Sequence, residues 1–244
     1  MCSIFGIFDL QPGDDLQLLR RESLDASQRQ RHRGPDWSGV YVDDGAILVH
    51  ERLAIVDPAG GSQPLLSEDG QLALAVNGEI YNHKQLKAEL KQPYAFQTGS
   101  DCEVINALYR EDEPASFLNR LNGIFAFALW DRAARRVIVA RDPIGVCPLY
   151  WGHDKEGRLR VASEMKSLAD SCADVAQFPP GHWYDSATGE LTRYYERPWR
   201  SYDAVEGVEV SPTELREAFE AAVHRQLMTD VPYGVLLSGG LDSS

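Results

Sequence analysis

The chain is poor in the features that nucleic-acid binding requires. Its 244 residues carry 24 Lys and Arg against 37 Asp and Glu, a formal net charge of −13. No basic stripe is available to neutralise phosphates or to lie on an anionic membrane, so neither partner is expected. Long apolar runs are also lacking, and none approaches the roughly 18–20 residues needed to cross a bilayer. The first residues have no basic stretch followed by an apolar one, so no export signal is expected. Cysteine is scarce: Cys2, Cys102, Cys147 and Cys172. These form no CxxC pair and no ligand-like spacing with histidine, which argues against a disulfide framework or a zinc site. Free thiols in a reducing cytoplasm are the expectation. Cys102, Cys147 and Cys172 read as small buried apolar residues. Repeats and low-complexity tracts are absent.

What is present suffices for a core. Hydrophobic residues make up 43% of the chain, and a chain of this size needs no disulfide support. Ser3 to Phe8 reads as a buried strand. Asp15 to Arg31 has helically spaced leucines (Leu16, Leu19, Leu24) and ends at Gly34-Pro35. Short apolar runs bounded by Gly, Asp or Asn read as strands: Gly39–Val42, Ala46–Val49, Leu72–Val76, Ile124–Trp130, Val137–Ala140 and Leu159–Ala162. Helical segments fall at His83–Lys91 and Cys102–Tyr109. Strands dominate without regular helix alternation, which predicts packed antiparallel sheets with helices on the outer faces. Tyr194 to Pro212 is irregular and reads as a crossing between two domains, 2–200 and 201–244. Ser211-Pro212-Thr213-Glu214 is a capped helix start, with the helix running to about Met228. Tyr233–Leu237 then reads as a strand entering Ser238-Gly239-Gly240-Leu241-Asp242-Ser243-Ser244, the opening of an α/β domain.

Chemistry is concentrated at the front. Removal of Met1 leaves Cys2 with a thiol and a free α-amine on one residue. A thiol has a reference pKa near 8.5 and an α-amine about 7.7–8.0, so the amine can take the thiol proton as attack begins. Cys2 is equally readable as the start of a core strand. An amide-cleaving thiol needs donors for the oxyanion, and Asn77 with the Gly78 N–H can supply two; an Asn-Gly pair is also an ordinary turn. Arg52 at a strand end suits a carboxylate. Asp101 can hold an ammonium or merely cap a helix. An Arg and an Asp together would grip both ends of an amino acid.

These motifs, in order, resemble the class II glutamine amidotransferases, whose catalytic domain is of the amino-terminal nucleophile hydrolase type. Within them the pattern is most similar to the bacterial-type, glutamine-hydrolysing asparagine synthetases. "MCSIFGIFD", "RHRGPDWSG", "HERLAIVD", "LAVNGEIYNH", "FQTGSDCEVI", "GIFAFALWD", "RDPIGVCPLY" and "ASEMKSL" carry the resemblance, and "DVPYGVLLSGGLDSS" extends it into a second domain. It implies a four-layer αββα sandwich followed by the truncated start of an α/β ATP-pyrophosphatase domain. It implies Cys2 as nucleophile, Asn77 and Gly78 as oxyanion donors, and Arg52 on the glutamine α-carboxylate. Glu79 and Asp101 would receive the α-amine, Leu53, Ala54, Ile55 and Val56 would line the site, and Arg33 would support the nucleophile. Asp57 to Leu65 would be the segment closing over glutamine.

The same resemblance gives Leu236, Ser238, Gly239, Gly240, Asp242 and Ser243 to ATP, with Asp242 near Mg²⁺. No Lys follows the glycines, so the motif is not a Walker A loop, though it has the parts of an anion cradle. The implied reaction is glutamine hydrolysis supplying ammonia to a β-aspartyl adenylate made from aspartate and ATP. The glutaminase itself would need no cofactor, and the 244 residues alone would not make asparagine. Three alternatives stay open: a related enzyme amidating another carboxylate, a non-catalytic scaffold of the same fold, and a purely structural fragment whose Met1 is never removed. The oligomeric state is open too, a homodimer included.

Overall fold

A computed structural model of the chain describes residues 2–243. The elements in order are β1 (Ser3–Phe8), α1 (Leu16–Gln28), β2 (Trp37–Val42), β3 (Ala46–Arg52), β4 (Leu65–Leu66) and β5 (Leu72–Ile80). Next come α2 (His83–Ala88), α3 (Val104–Glu111), α4 (Pro114–Phe117), β6 (Gly123–Asp131) and β7 (Arg136–Arg141). The remainder are β8 (Tyr150–His153), β9 (Leu159–Ala162), β10 (Ala176–Gln177), β11 (His182–Asp185), β12 (Glu190–Arg193) and α5 (Pro212–Arg225).

The strands form two six-stranded antiparallel sheets. One has the order β10-β8-β9-β1-β3-β2 and the other β12-β11-β7-β6-β5-β4. Side chains alternate between the faces of a strand, and here each face has its own partner. On the first sheet Phe5, Ile7, Ile47 and Val49 point outward onto Leu19 of α1. Ile4, Phe8, Ala46 and Leu48 point inward and meet Ala73, Ala75, Ala126, Ala128 and Val139 of the second sheet. The second sheet's other face, with Leu74, Val76 and Phe127, packs under Ile105 and Leu108 of α3 and Phe117 of α4. The layers are therefore helix, sheet, sheet and helix, as expected. The small alanines of the second sheet face the bulky Ile4, Phe8 and Leu48, which lets the two sheets approach closely. Each buried Leu, Ile or Phe contributes about 1.5–3 kcal/mol.

Local chemistry places the helices. The Asp15 carboxylate accepts the N–H groups of Gln17 and Leu18 at 3.0 Å and caps α1. Ser211 accepts from Glu214 N–H at 3.3 Å and caps α5, with Pro212 in its first turn, as the sequence predicts.

Two of the plain alternative readings fall, and one expectation is corrected. Asn77-Gly78 is not a turn. β5 continues through both residues to Ile80, paired with β6 in unbroken register. Asp101 is not the helix cap. Ser100 caps the 3-10 turn there, while Asp101 accepts Ile80 N–H at 2.6 Å. Tyr233–Leu237 is not a strand. No neighbouring strand offers it a ladder among the described residues, and Val235 and Leu236 are 81% and 99% exposed. No described helix is long and apolar enough to cross a membrane.

Candidate functional site

The inward-facing positions run out of apolar residues at one end of the inter-sheet layer. On the first sheet the alternation that points Phe8 and Ile4 inward continues to Cys2, and that of Ala46 and Leu48 continues to His50 and Arg52. On the second sheet Ala73 and Ala75 are followed by Asn77 and Glu79. The pleat thus delivers a thiol, a guanidinium, an amide and a carboxyl to one end of the sandwich.

The Cys2 sulfur lies against the backbone of Leu53. It accepts the Leu53 N–H at 3.4 Å and reaches the Leu53 carbonyl at 3.5 Å. Burial is the main cause raising the thiol's pKa; the Leu53 contact and the Arg52 charge act the other way. The sulfur is therefore held as a neutral thiol, and an attack on an amide needs a base to take its proton.

Arg33 is brought to Cys2 by a tightly fitted turn. Its Nε donates to the Cys2 carbonyl at 3.1 Å, and its Nη1 pairs with Glu164 at 3.3 Å. The turn is locked to β3 by the buried Glu51, which accepts from Ser27 at 2.8 Å and Arg31 at 2.7 Å. A Cβ at Gly34 would lie 2.2 Å from the Glu51 backbone, so only glycine permits this approach. Asp36 then takes the Ala54 N–H at 2.9 Å, which fixes the chain just beyond Leu53.

The side chain of Asn77 is fully buried and neither its Nδ2 nor its Oδ1 has a partner in the structure. A buried amide left unpaired costs about 1–3 kcal/mol, so an orphan here points to a ligand that satisfies it. Gly78 sits at φ +153°, and a Cβ there would fall 2.1 Å from the Ile124 carbonyl. Glycine is required where β5 crowds β6 beside Asn77.

Glu79 and Asp101 form a buried acidic pair. The Glu79 carboxyl is pushed up, first by burial and then by Asp101. Burial likewise raises Asp101, against the Ile80 N–H and His83. Neither carboxyl has a salt-bridge partner among the described residues, and Glu79 Oε2 is buried and unpaired. A cation entering here would be stabilised by both. Deeper in the layer His50 is wholly buried, its Nε2 at 2.9 Å from the Val76 carbonyl, and burial pulls its pKa down to about 4.

Arg52 is only 5% exposed. Its guanidinium donates to the carbonyls of Val56 (3.1 Å), Asp57 (2.6 Å) and Pro58 (3.2 Å), so it is strapped to the loop after β3. Ile55 is held from outside, its carbonyl accepting Asp230 N–H at 3.0 Å. The sequence reading missed Glu164 and Asp230, whose partners lie far along the chain, and took Asp57 only as the start of the closing segment. A cavity of about 520 Å³ lies elsewhere, between α1 and the Asp154–Arg160 region.

The residues assigned to ATP are not gathered with this group. Ser238 and Ser243 hydroxyls are 2.7 Å apart, and the Gly240 N–H lies 3.1 Å from Ser243 Oγ. These atoms of the turn bond to one another, while Asp242 and Leu236 are exposed. Among the described residues no three His, Cys, Asp or Glu side chains gather to hold a metal.

Comparison with known proteins agrees with this geometry. The family model described as glutamine amidotransferase domain matches residues 1–180, and one described as asparagine synthase matches residues 214–244. Over its whole length the chain is 54% identical to asparagine synthetase B [glutamine-hydrolyzing] of Escherichia coli K12 and 50% identical to asparagine synthetase [glutamine-hydrolyzing] 2 of rice (Oryza sativa subsp. japonica). It spans 44% and 40% of the length of these relatives. Glutamine phosphoribosylpyrophosphate amidotransferase of B. subtilis shares the fold, with a TM-score of 0.65 at 24% identity over 80% of this chain and 50% of that one. A thiol, an orphan amide and an acidic pair at the end of an αββα sandwich, matched by a family model over most of the chain, place this protein in the glutamine amidotransferase domain family.

Proposed function

We propose that the chain hydrolyses glutamine at Cys2. After Met1 is removed, the α-amine of Cys2 accepts the thiol proton as sulfur attacks the side-chain amide carbon. The negative oxygen that forms is met by Asn77 Nδ2 and the Gly78 N–H. The amide nitrogen takes that proton back from the Cys2 α-ammonium and leaves as ammonia. Water then opens the thioester to glutamate and restores the thiol. Arg52 takes the α-carboxylate, while Glu79 and Asp101 take the α-ammonium. Arg33, anchored on Glu164, holds the Cys2 main chain in line.

The observation that carries this reading is the buried, unpartnered side chain of Asn77 at the end of the layer that also delivers Cys2. A scaffold without chemistry has no need to leave that amide unsatisfied. The test is glutamate release from glutamine by protein whose intact mass shows Met1 removed. Release that disappears in Cys2→Ala supports the reading; no release from trimmed wild-type protein refutes it.

For the whole protein we propose glutamine-dependent asparagine synthesis, the domain boundary falling near residue 200. The names of its relatives and the match at residues 214–244 support this. ATP, with Mg²⁺, would be the co-substrate, aspartate the acceptor and the cytoplasm the setting. Four free cysteines are in keeping with the last. Aspartate assayed against other carboxylic acids, with the complete protein, tests the acceptor.

A further inference from the structure

Asp57 is hydrogen-bonded toward both ends of the proposed amino-acid site. It is one of few non-glycine residues with a left-handed backbone, at φ +47°. Such a conformation costs energy and persists where surroundings fix it. Its Oδ1 accepts Gly60 N–H at 3.0 Å, and its Oδ2 accepts Gly99 N–H at 2.8 Å. Its carbonyl accepts Arg52 Nη2 at 2.6 Å and Gly61 N–H at 2.9 Å. Its own N–H donates to Asp230 at 2.9 Å. Three glycines close around it: a Cβ on Gly60 would come 2.7 Å from its carboxylate, one on Gly99 3.1 Å, and one on Gly61 3.1 Å from its carbonyl.

Through Gly99 this carboxylate reaches the acidic end of the site. Gly99 lies two residues before Asp101, on a loop whose other side is pinned by the buried Glu103. The Glu103 carboxylate takes Gln97 N–H at 2.7 Å and Thr98 N–H at 2.8 Å. A continuous path therefore runs from the Arg52 guanidinium through the Asp57 carbonyl and carboxylate to Gly99, Ser100 and Asp101. Arg52 ends β3 of the first sheet and Asp101 lies in the 3-10 turn before α3, and Asp57 is hydrogen-bonded toward both.

We propose that Asp57 is a positioning residue which sets the separation between Arg52 and Asp101, and so the fit of the site to a free amino acid. The inference rests on the reading that these two groups bind the ends of glutamine. Asp57 itself touches no reacting atom. Its removal weakens recognition of the amino-acid ends and leaves the sulfur's own reactivity in place.

Three readouts on Asp57→Ala and Asp57→Asn test this. The KM for glutamine is expected to rise about tenfold or more, as for loss of one or two charge-assisted hydrogen bonds, with kcat within about threefold. Labelling of Cys2 by a diazoketone analogue of glutamine slows. Alkylation by iodoacetamide, which has no amino-acid ends, keeps its rate. Asp57→Asn retains one acceptor, keeps the fold if alanine does not, and falls between wild type and alanine. An unchanged KM in both variants, or equal slowing with both reagents, overturns the proposal. Calorimetric binding of glutamate, which has the same two ends, separates the failures. If wild type binds glutamate but releases none from glutamine, the hydrolase reading falls, and the positioning role stands only if Asp57→Asn weakens that binding. If wild type binds no glutamate, both fall.

Discussion

At the scale of single residues, the orphan amide of Asn77 makes the sharpest demand. Asn77→Ala removes the proposed oxyanion donor, and loss of such a donor costs about 2.7–4 kcal/mol in the barrier. The expected result is kcat lower by about 100- to 1,000-fold with KM little changed, measured by glutamate release. The acidic pair gives a prediction in pH. Glu79 has its carboxyl pKa raised by burial, so the native state keeps a proton that the unfolded chain gives up above about 4.5. More protons are then bound in the native state, and stability falls as pH rises through and beyond that value. Glu79→Gln should flatten this decline, read as urea midpoints at pH 5 and pH 8. His50 acts with the opposite sign. Its pKa is pulled down to about 4 from 6.5, so the unfolded chain binds the extra proton and stability is lost as pH falls between those values. The two windows overlap, and the variant at Glu79 isolates its own.

At the scale of elements, β5 and its junction with β6 decide the site. Gly78→Ala forces a Cβ to 2.1 Å from the Ile124 carbonyl at a φ that L-residues avoid. Backbone strain alone is worth about 1–3 kcal/mol. A lower urea midpoint with weakened glutaminase is expected; an unchanged midpoint would contradict the crowding. The same junction shows where local sequence misleads. Asn-Gly signals a turn in isolation, but here the unbroken ladder between β5 and β6 overrides it. Leu159–Ala162 is legible to the residue because it is apolar and bounded. Strands such as Glu190–Arg193 are not, because an exposed edge strand carries no hydrophobic pattern. Tyr233–Leu237 has the right residue types but no ladder to join. In the site, Cys2, Arg52 and Asn77 are legible from chemistry local to each motif. Asp57 and Glu164 are not, since their roles arise from contacts 42 and 131 residues apart in the chain.

At the scale of the molecule, burial is uneven. The sandwich hides its core, whereas α5 buries none of its residues and leaves Leu215, Phe219 and Val223 exposed at 64%, 68% and 45%. These lie on one helical stripe, a pattern that adheres to other apolar surfaces. Replacing all three with serine should reduce binding of an apolar dye and self-association in light scattering, while glutamate release stays unchanged. A loss of glutaminase in that variant would mean that α5 supports the site.

The alternating pleat of β5 carries a further consequence for how this chain can change over generations. Insertions are cheap in the turn at residues 132–135, where β6 reverses into β7. One codon gained or lost between Ala73 and Val76 is another matter. The backbone ladder could slip by a single step and still close, but Val76 would swing into the sandwich and Asn77 out beneath the helices. Heredity can therefore edit the rims of this protein more readily than the reading frame of one strand, on which the inward face of Asn77 depends.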